Sequence, residues 1–257
     1  MRFNLPVLVY QEKNCVHNHA DEIAQMGKNA LIVTGRNSSK KNGSLDDVIN
    51  ALKSKNIKYT VYDGVEENPS VETVMEAREI GVKAGCDFII GIGGGSPMDA
   101  AKAIGVMIYH KNENKDFLYK SVSDSQSLPV IEVPTTCGTG SEVTTVAVLT
   151  VHNEKTKKSM SHRIFPRMAL VDEKYIKNAP LKVICDTAID ALAHIVESCI
   201  NNNATEYSKM FAKEGLEAWS KFKDVLLGNR EATDEDFHNM MYASTLAGMC
   251  IAHAGTS

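Results

Sequence analysis

Gly91-Ile92-Gly93-Gly94-Gly95-Ser96-Pro97-Met98-Asp99-Ala100-Ala101-Lys102 follows directly on the apolar run Phe88-Ile89-Ile90. A buried strand thus runs into three consecutive glycines and out into a helix. Ser96 reads as the N-cap of that helix, with Pro97 in its first turn and Asp99 three residues after the cap. Glycine, lacking a Cβ, lets a backbone approach an anion closely, and the free N–H groups and positive dipole end of a helix start then face it. The stretch reads as a phosphate or pyrophosphate seat; a plain strand-to-helix turn is the other use of such glycines. It is not a Walker A loop, which needs a lysine after the last glycine. Nor is it a full dinucleotide fingerprint, because Ser96 stands at the third glycine position.

On either side of this motif, strand-like and helix-like segments alternate up to about residue 176. Ala30–Gly35, Ile57–Tyr62, Phe88–Ile92, Val130–Val133, Thr145–Val151 and Met168–Val171 read as strands. Leu45–Leu52, Pro69–Val82 and Met98–Ile108 read as helices, and Asn112–Ser127 as a polar surface excursion with a short helical turn. Such alternation predicts an α/β fold with a mainly parallel sheet, helices on both faces and ligands at the C-terminal strand ends. After Pro180 no strand pattern recurs, and Lys182–Ile200, Ala204–Phe222 and Asp234–His253 all carry helical spacing. The expected organisation is an α/β nucleotide-binding domain over 1–176 and an all-helical domain over 177–257. The latter is expected to be incomplete, since the chain stops at Ser257 directly behind an apolar helix.

Composition sets the class. The 257 residues are 43% hydrophobic and 23% charged, with a net charge of −4, which is ordinary for a soluble globular chain. No apolar run approaches the roughly 18–20 residues that span a bilayer, and Met1–Pro6 lacks a signal-peptide pattern. The mild acidity without a basic stripe argues against nucleic acid as a partner. Six cysteines scattered without CxxC spacing fit reduced thiols in a cytoplasmic protein.

Three further constellations carry chemistry. Val133-Pro134-Thr135-Thr136-Cys137-Gly138-Thr139-Gly140-Ser141-Glu142 sets hydroxyls among permissive glycines between two apolar strands. It suits a loop that wraps a polar ligand, or else a solvent-exposed linker. Asp190 and His194 are four apart and so share a helix face, about 6 Å between them. A carboxylate and an imidazole so placed converge on one Fe²⁺, Zn²⁺ or Mn²⁺ ion, or simply on each other. Finally, Gly35 ends an early strand, with Arg36, Ser38, Ser39, Lys40 and Lys41 behind it and no acid until Asp46. An acid there binds a ribose hydroxyl, whereas a small residue in basic surroundings admits a 2′-phosphate. A Lys/Ser-rich surface turn has the same composition.

In this order the motifs resemble the iron-containing (group III) alcohol dehydrogenase family, which includes butanol, lactaldehyde and 1,3-propanediol dehydrogenases. The anchors are Gly93–Lys102, Pro134–Thr144, Met168–Asp172 and Asp190–His194, with Asn68-Pro69 ahead of a helix in keeping. The resemblance implies a dinucleotide, NADP or NAD, held by Gly35, Ser38, Ser39, Asn68, Gly94, Gly95, Ser96, Asp99, Thr135, Thr136, Thr144 and Lys158. Lys158 matches a lysine near the nicotinamide ribose. Asp190 and His194 match two of four ligands to Fe²⁺, or to Zn²⁺ in the related glycerol dehydrogenase branch. Two further histidine ligands are expected beyond Ser257. His253 stands upstream of the first and is not expected to bind metal, while His162 and His238 are expected at the surface. The implied reaction interconverts a primary or short-chain alcohol or diol with its aldehyde or ketone, in a protein that is a homo-oligomer at full length. On this expectation the 257-residue chain alone is a nucleotide-binding fragment without turnover.

Overall fold

The structure, a computed structural model, describes residues 4–256; Met1–Phe3, the start of the stretch read against a signal peptide, and Ser257 lie outside the described residues. The strands are β1 (Leu8–Gln11), β2 (Asn29–Gly35), β3 (Lys58–Val65), β4 (Phe88–Gly93), β5 (Val130–Pro134), β6 (Val148–Val151), β7 (Thr156–Ser159) and β8 (Met168–Val171). The helices are α1 (Cys15–Asn18), α2 (Ala20–Ala24), α3 (Ser38–Lys41), α4 (Ser44–Ser54), α5 (Val71–Ala84), α6 (Gly95–Tyr109), α7 (Leu181–Ile200), α8 (Glu206–Leu226) and α9 (Asp234–Ala254).

Six strands form one parallel sheet in the order β1-β8-β5-β4-β2-β3. Its central strands are apolar on both faces because helices cover both. Leu31, Val33, Ile89 and Val130 pack toward α5 and α6. Their neighbours in sequence, Ile32, Phe88, Ile90 and Ile131, pack toward α1, α2 and α4. Full burial of each such side chain contributes about 1.5–3 kcal/mol. A third core lies within α7–α9 and takes in Cys137, Val143 and Val171 from the sheet side. Among the described residues no helix is long and apolar enough to cross a membrane.

Two strands were absent from the sequence reading. β1 forms an edge of the sheet, pairing in parallel with β8; its four residues are too few to declare a period. The expected strand Thr145–Val151 shortens to β6 and leaves the main sheet, pairing antiparallel with β7. The order β3-β2-β4-β5 reverses the chain's direction of travel between β2 and β4. A crevice therefore opens at the C-terminal ends of those two strands, where Gly35 and Gly93 lie.

Candidate active site

At the end of β4 the conformational demand falls on Gly93, whose φ of 152° is one that side-chain-bearing residues rarely adopt. A Cβ there would lie 2.6 Å from Pro97 Cγ. The helix then starts two residues earlier than expected. Gly94 is the N-cap of α6, in extended backbone and with no side-chain cap. Ser96 is thus already helical, and its hydroxyl instead accepts the Asn68 backbone N–H at 3.0 Å. An uncapped first turn leaves its N–H groups for an outside acceptor.

Opposite this turn runs the loop after β5, tied in by the Thr135 N–H, which donates to the Gly93 carbonyl at 2.8 Å. A Cβ on Gly94 would come within 3.1 Å of Thr136, and one on Gly95 within 2.9 Å of Thr139. Two bare glycines thus face two half-buried threonines across a gap that a side chain would fill. The unbonded N–H groups of the turn and the hydroxyls beside it are the donor chemistry a pyrophosphate needs, and the residues present fit one.

Asp99 and Thr144 border this gap from below. Asp99 accepts the Ser141 hydroxyl at 2.7 Å and the Val148 N–H at 2.9 Å, which fastens β6 to α6. Beside it the fully buried Lys102 donates to the Ser141 hydroxyl and carbonyl and to the Val146 carbonyl. The buried Thr144 turns its hydroxyl to the Val146 N–H. Glu132 is also buried, and neither of its carboxyl oxygens has a hydrogen-bond partner among the described residues. Burial pushes its carboxyl well above the ordinary range, against the pull of Lys102.

The expected 2′-phosphate region is only partly as the sequence suggested. Gly35 and the exposed Arg36 and Ser38 lie at the end of β2. Ser39 is turned inward, fully buried, its hydroxyl 2.8 Å from that of Thr34. Beside the neighbouring Lys40 the structure brings Asp63 from β3, whose carboxylate meets Lys40 Nζ at 2.5 Å.

Asn68 joins the crevice to the β6–β7 hairpin. Its carbonyl accepts from the Thr150 hydroxyl and its side-chain oxygen from Lys157 Nζ, both at 2.8 Å. Thr150 and Lys157 are register partners, and so are Val148 and Ser159, which share that face and line the cavity described next. Lys158, on the opposite face of β7 beside Leu149, pairs with Glu154 and lies over the Tyr119 ring at 5.7 Å. The lysine that reaches Asn68 is therefore Lys157, which the sequence reading passed over, as it did Asp63, Lys102 and Thr139. No local signal marks Lys157, because which of the two lysines faces Asn68 follows from the β6–β7 register.

A cavity of roughly 370 Å³ joins these parts. Gly95, Asp99, Thr139 and Thr144 line one side, and Asp190 and His194 on α7 line the other. His194 Nδ1 lies 3.3 Å from the Gly138 carbonyl, which can only accept, so Nδ1 is the donor and Nε2 is the ring nitrogen open to a metal. Nε2 faces Asp190 Oδ1 at 3.7 Å. Two donors on one ion at about 2.1 Å each stand about 3.0–3.4 Å apart, so a small inward shift suffices. The oxygen and nitrogen donors and the locked tautomer fit a divalent first-row ion. Among the described residues no third His, Cys, Asp or Glu joins them.

Cys137 does not line this cavity but is buried in the core under α7, its Sγ beside Thr187. Burial pushes its thiol up to about 11. His253 lines an adjoining cleft of roughly 930 Å³, its Nδ1 donating to the Met249 carbonyl at 2.8 Å. His162, expected at the surface, is fully buried; its Nε2 donates to the Phe117 carbonyl at 2.8 Å and its ring packs on Phe117. The side chain of His238 is 46% exposed, as expected.

Residues 6–173 match the family model of the iron-containing alcohol dehydrogenases, and residues 184–257 match that family's C-terminal model. An NADPH-dependent butanol dehydrogenase of Clostridium saccharobutylicum is 32% identical over 99% of this chain and 65% of its own length. A 1,3-propanediol dehydrogenase of Citrobacter freundii is 35% identical over 89% of this chain and 59% of its own. The chain thus spans less than two thirds of the length of these curated relatives. The crystal structure of an iron-containing alcohol dehydrogenase of Thermotoga maritima superposes with a TM-score of 0.93 at 39% identity, over all of this chain and 70% of that one.

Proposed function

Because the chain belongs to the iron-containing alcohol dehydrogenase family, we propose that it seats a nicotinamide dinucleotide, NADP(H) ahead of NAD(H), beside a divalent metal, Fe²⁺ or Zn²⁺, for the interconversion of a primary or short-chain alcohol or diol with its carbonyl form. The observation that carries this reading is one cavity with an uncapped helix start on one wall and an oriented Asp–His pair on the other.

When bound, the metal supplies Lewis-acid polarisation of the substrate oxygen, and the nicotinamide supplies the hydride acceptor. The protein's part is placement. The first turn of α6 takes the pyrophosphate charge, and Thr136 and Thr139 close over it. Arg36, Ser38 and Lys40 favour a 2′-phosphate beyond Gly35. Asp99 and Lys102 hold the 141–148 segment so that Thr144 and Val148 stay on the cavity wall. Asp190 and His194 hold the metal, and the Gly138 carbonyl keeps the imidazole in the ligating tautomer.

The test is metal content and turnover of the holoenzyme. Asp190→Ala or His194→Ala is expected to lower metal affinity at least about tenfold and to abolish alcohol-dependent reduction of NADP⁺. Unchanged metal content and turnover in both variants would overturn the assignment.

A further inference from the structure

We propose that Asp63 is a specificity-determining residue, tempering the preference of the site for the 2′-phosphorylated dinucleotide. The inference rests on the dinucleotide reading above and concerns the ratio between the two forms. The ladder between β2 and β3 keeps one register from Asn29–Lys58 to Val33–Tyr62, then slips so that Gly35 pairs with Val65. The slip leaves Asp63 and Gly64 together opposite Thr34, one residue short of Gly35. An acid from the neighbouring strand thereby arrives where β2 itself carries none.

Asp63 is about half exposed, as is Lys40, and the two meet at 2.5 Å. The hydrogen bond from Lys40, helped by the charges of Lys40 and Arg36, holds the Asp63 carboxyl below its ordinary range. At neutral pH the end of β2 therefore presents two cations, Arg36 and Lys40, and one anion. A 2′-phosphate brings nearly two negative charges to this point, whereas a ribose hydroxyl brings none. The phosphate gains from both cations, but it must share Lys40 with Asp63 and is repelled by the carboxylate. The hydroxyl feels neither effect. Asp63 so narrows the gap between NADP(H) and NAD(H), and neutralising it releases Lys40 to the phosphorylated form alone.

Dissociation constants for NADPH and NADH, from fluorescence titration of the parent, Asp63→Asn, Lys40→Met and the double variant, test this. Both side chains are at the surface, and circular dichroism checks that each variant folds. Asp63→Asn is expected to tighten NADPH about three- to tenfold and to leave NADH within about twofold. The gain should shrink in raised salt and largely vanish in the Lys40→Met background. A parent that binds both dinucleotides while Asp63→Asn leaves their ratio unchanged overturns this inference alone. A loss confined to NADH overturns it too, and makes Asp63 the acceptor for the ribose hydroxyl. A parent that binds neither dinucleotide overturns the reading of the crevice and this inference together.

Discussion

Gly35 ends β2 with open space around it. A Cβ at this position would meet only the Val65 carbonyl, at an ordinary contact distance of 3.4 Å. A side chain is therefore tolerated here, and what it carries will act on the ligand rather than on the fold. Gly35→Asp sets a second carboxylate beside Asp63, facing the same phosphate. NADPH affinity is expected to fall at least about tenfold while NADH affinity holds or improves, because an acid accepts from a ribose hydroxyl and repels a phosphate. Isothermal titration reads both, and a parallel change in the two affinities would contradict the proposed 2′-phosphate position. At this scale the sequence was only half legible. The glycines, the threonine loop and the Asp–His pair carry local signatures. Ser39, Asp63 and Lys157 do not, since their roles depend on a strand register and an inward turn that only the paired sheet defines.

The elements beneath the glycine turn hold a buried conflict. Glu132 on β5 stands opposite Gly91 on β4. A Cβ on Gly91 would lie 2.4 Å from Glu132 Oε2 and 2.8 Å from the Ala101 Cβ of α6. The glycine is the space the carboxyl occupies. Gly91→Ala is expected to cost about 1–3 kcal/mol by denaturant unfolding, and part of that cost should disappear in a Glu132→Ala background. The carboxyl also makes stability depend on pH. Its folded value lies well above the ordinary 4.5 because burial disfavours the charge. Between those two values the native state holds a proton that the unfolded chain has lost, so this contribution is greatest below the unfolded value and declines as pH rises. Glu132→Gln removes the decline. Its melting temperature relative to the parent is therefore expected to rise from about pH 5 to about pH 8, and a constant difference would show that Glu132 is charged in the fold. Element order was readable along most of the chain, because helix and strand periods differ and the runs are long. β1 and β7 escaped it because they are short and partly exposed, without the continuous buried apolar run that marked the equally short β8.

Across the whole molecule, the reversal of strand order between β2 and β4 makes the crevice, and α7 brings the Asp190–His194 pair to its far side. The alternation of segments and the later all-helical stretch were enough to expect both halves. The contact between them was not, since it depends on the Gly138 carbonyl meeting His194 across the boundary. On the proposed reading, a pyrophosphate seated at the start of α6 joins these halves into one site. Gly95→Val tests it with little cost to the fold, because the atom its Cβ would crowd, at 2.9 Å, is the end of the half-buried Thr139 side chain, which can turn away. The measurement is calorimetric titration of NADPH into the parent and into Gly95→Val, with circular dichroism confirming that both are folded. Binding in the parent and a loss of about a hundredfold or more in the variant is the expected result, because the added side chain occupies the approach of the phosphates to the α6 N–H groups. A folded Gly95→Val chain that binds NADPH as tightly as the parent would reduce the three glycines to a turn and contradict the dinucleotide site.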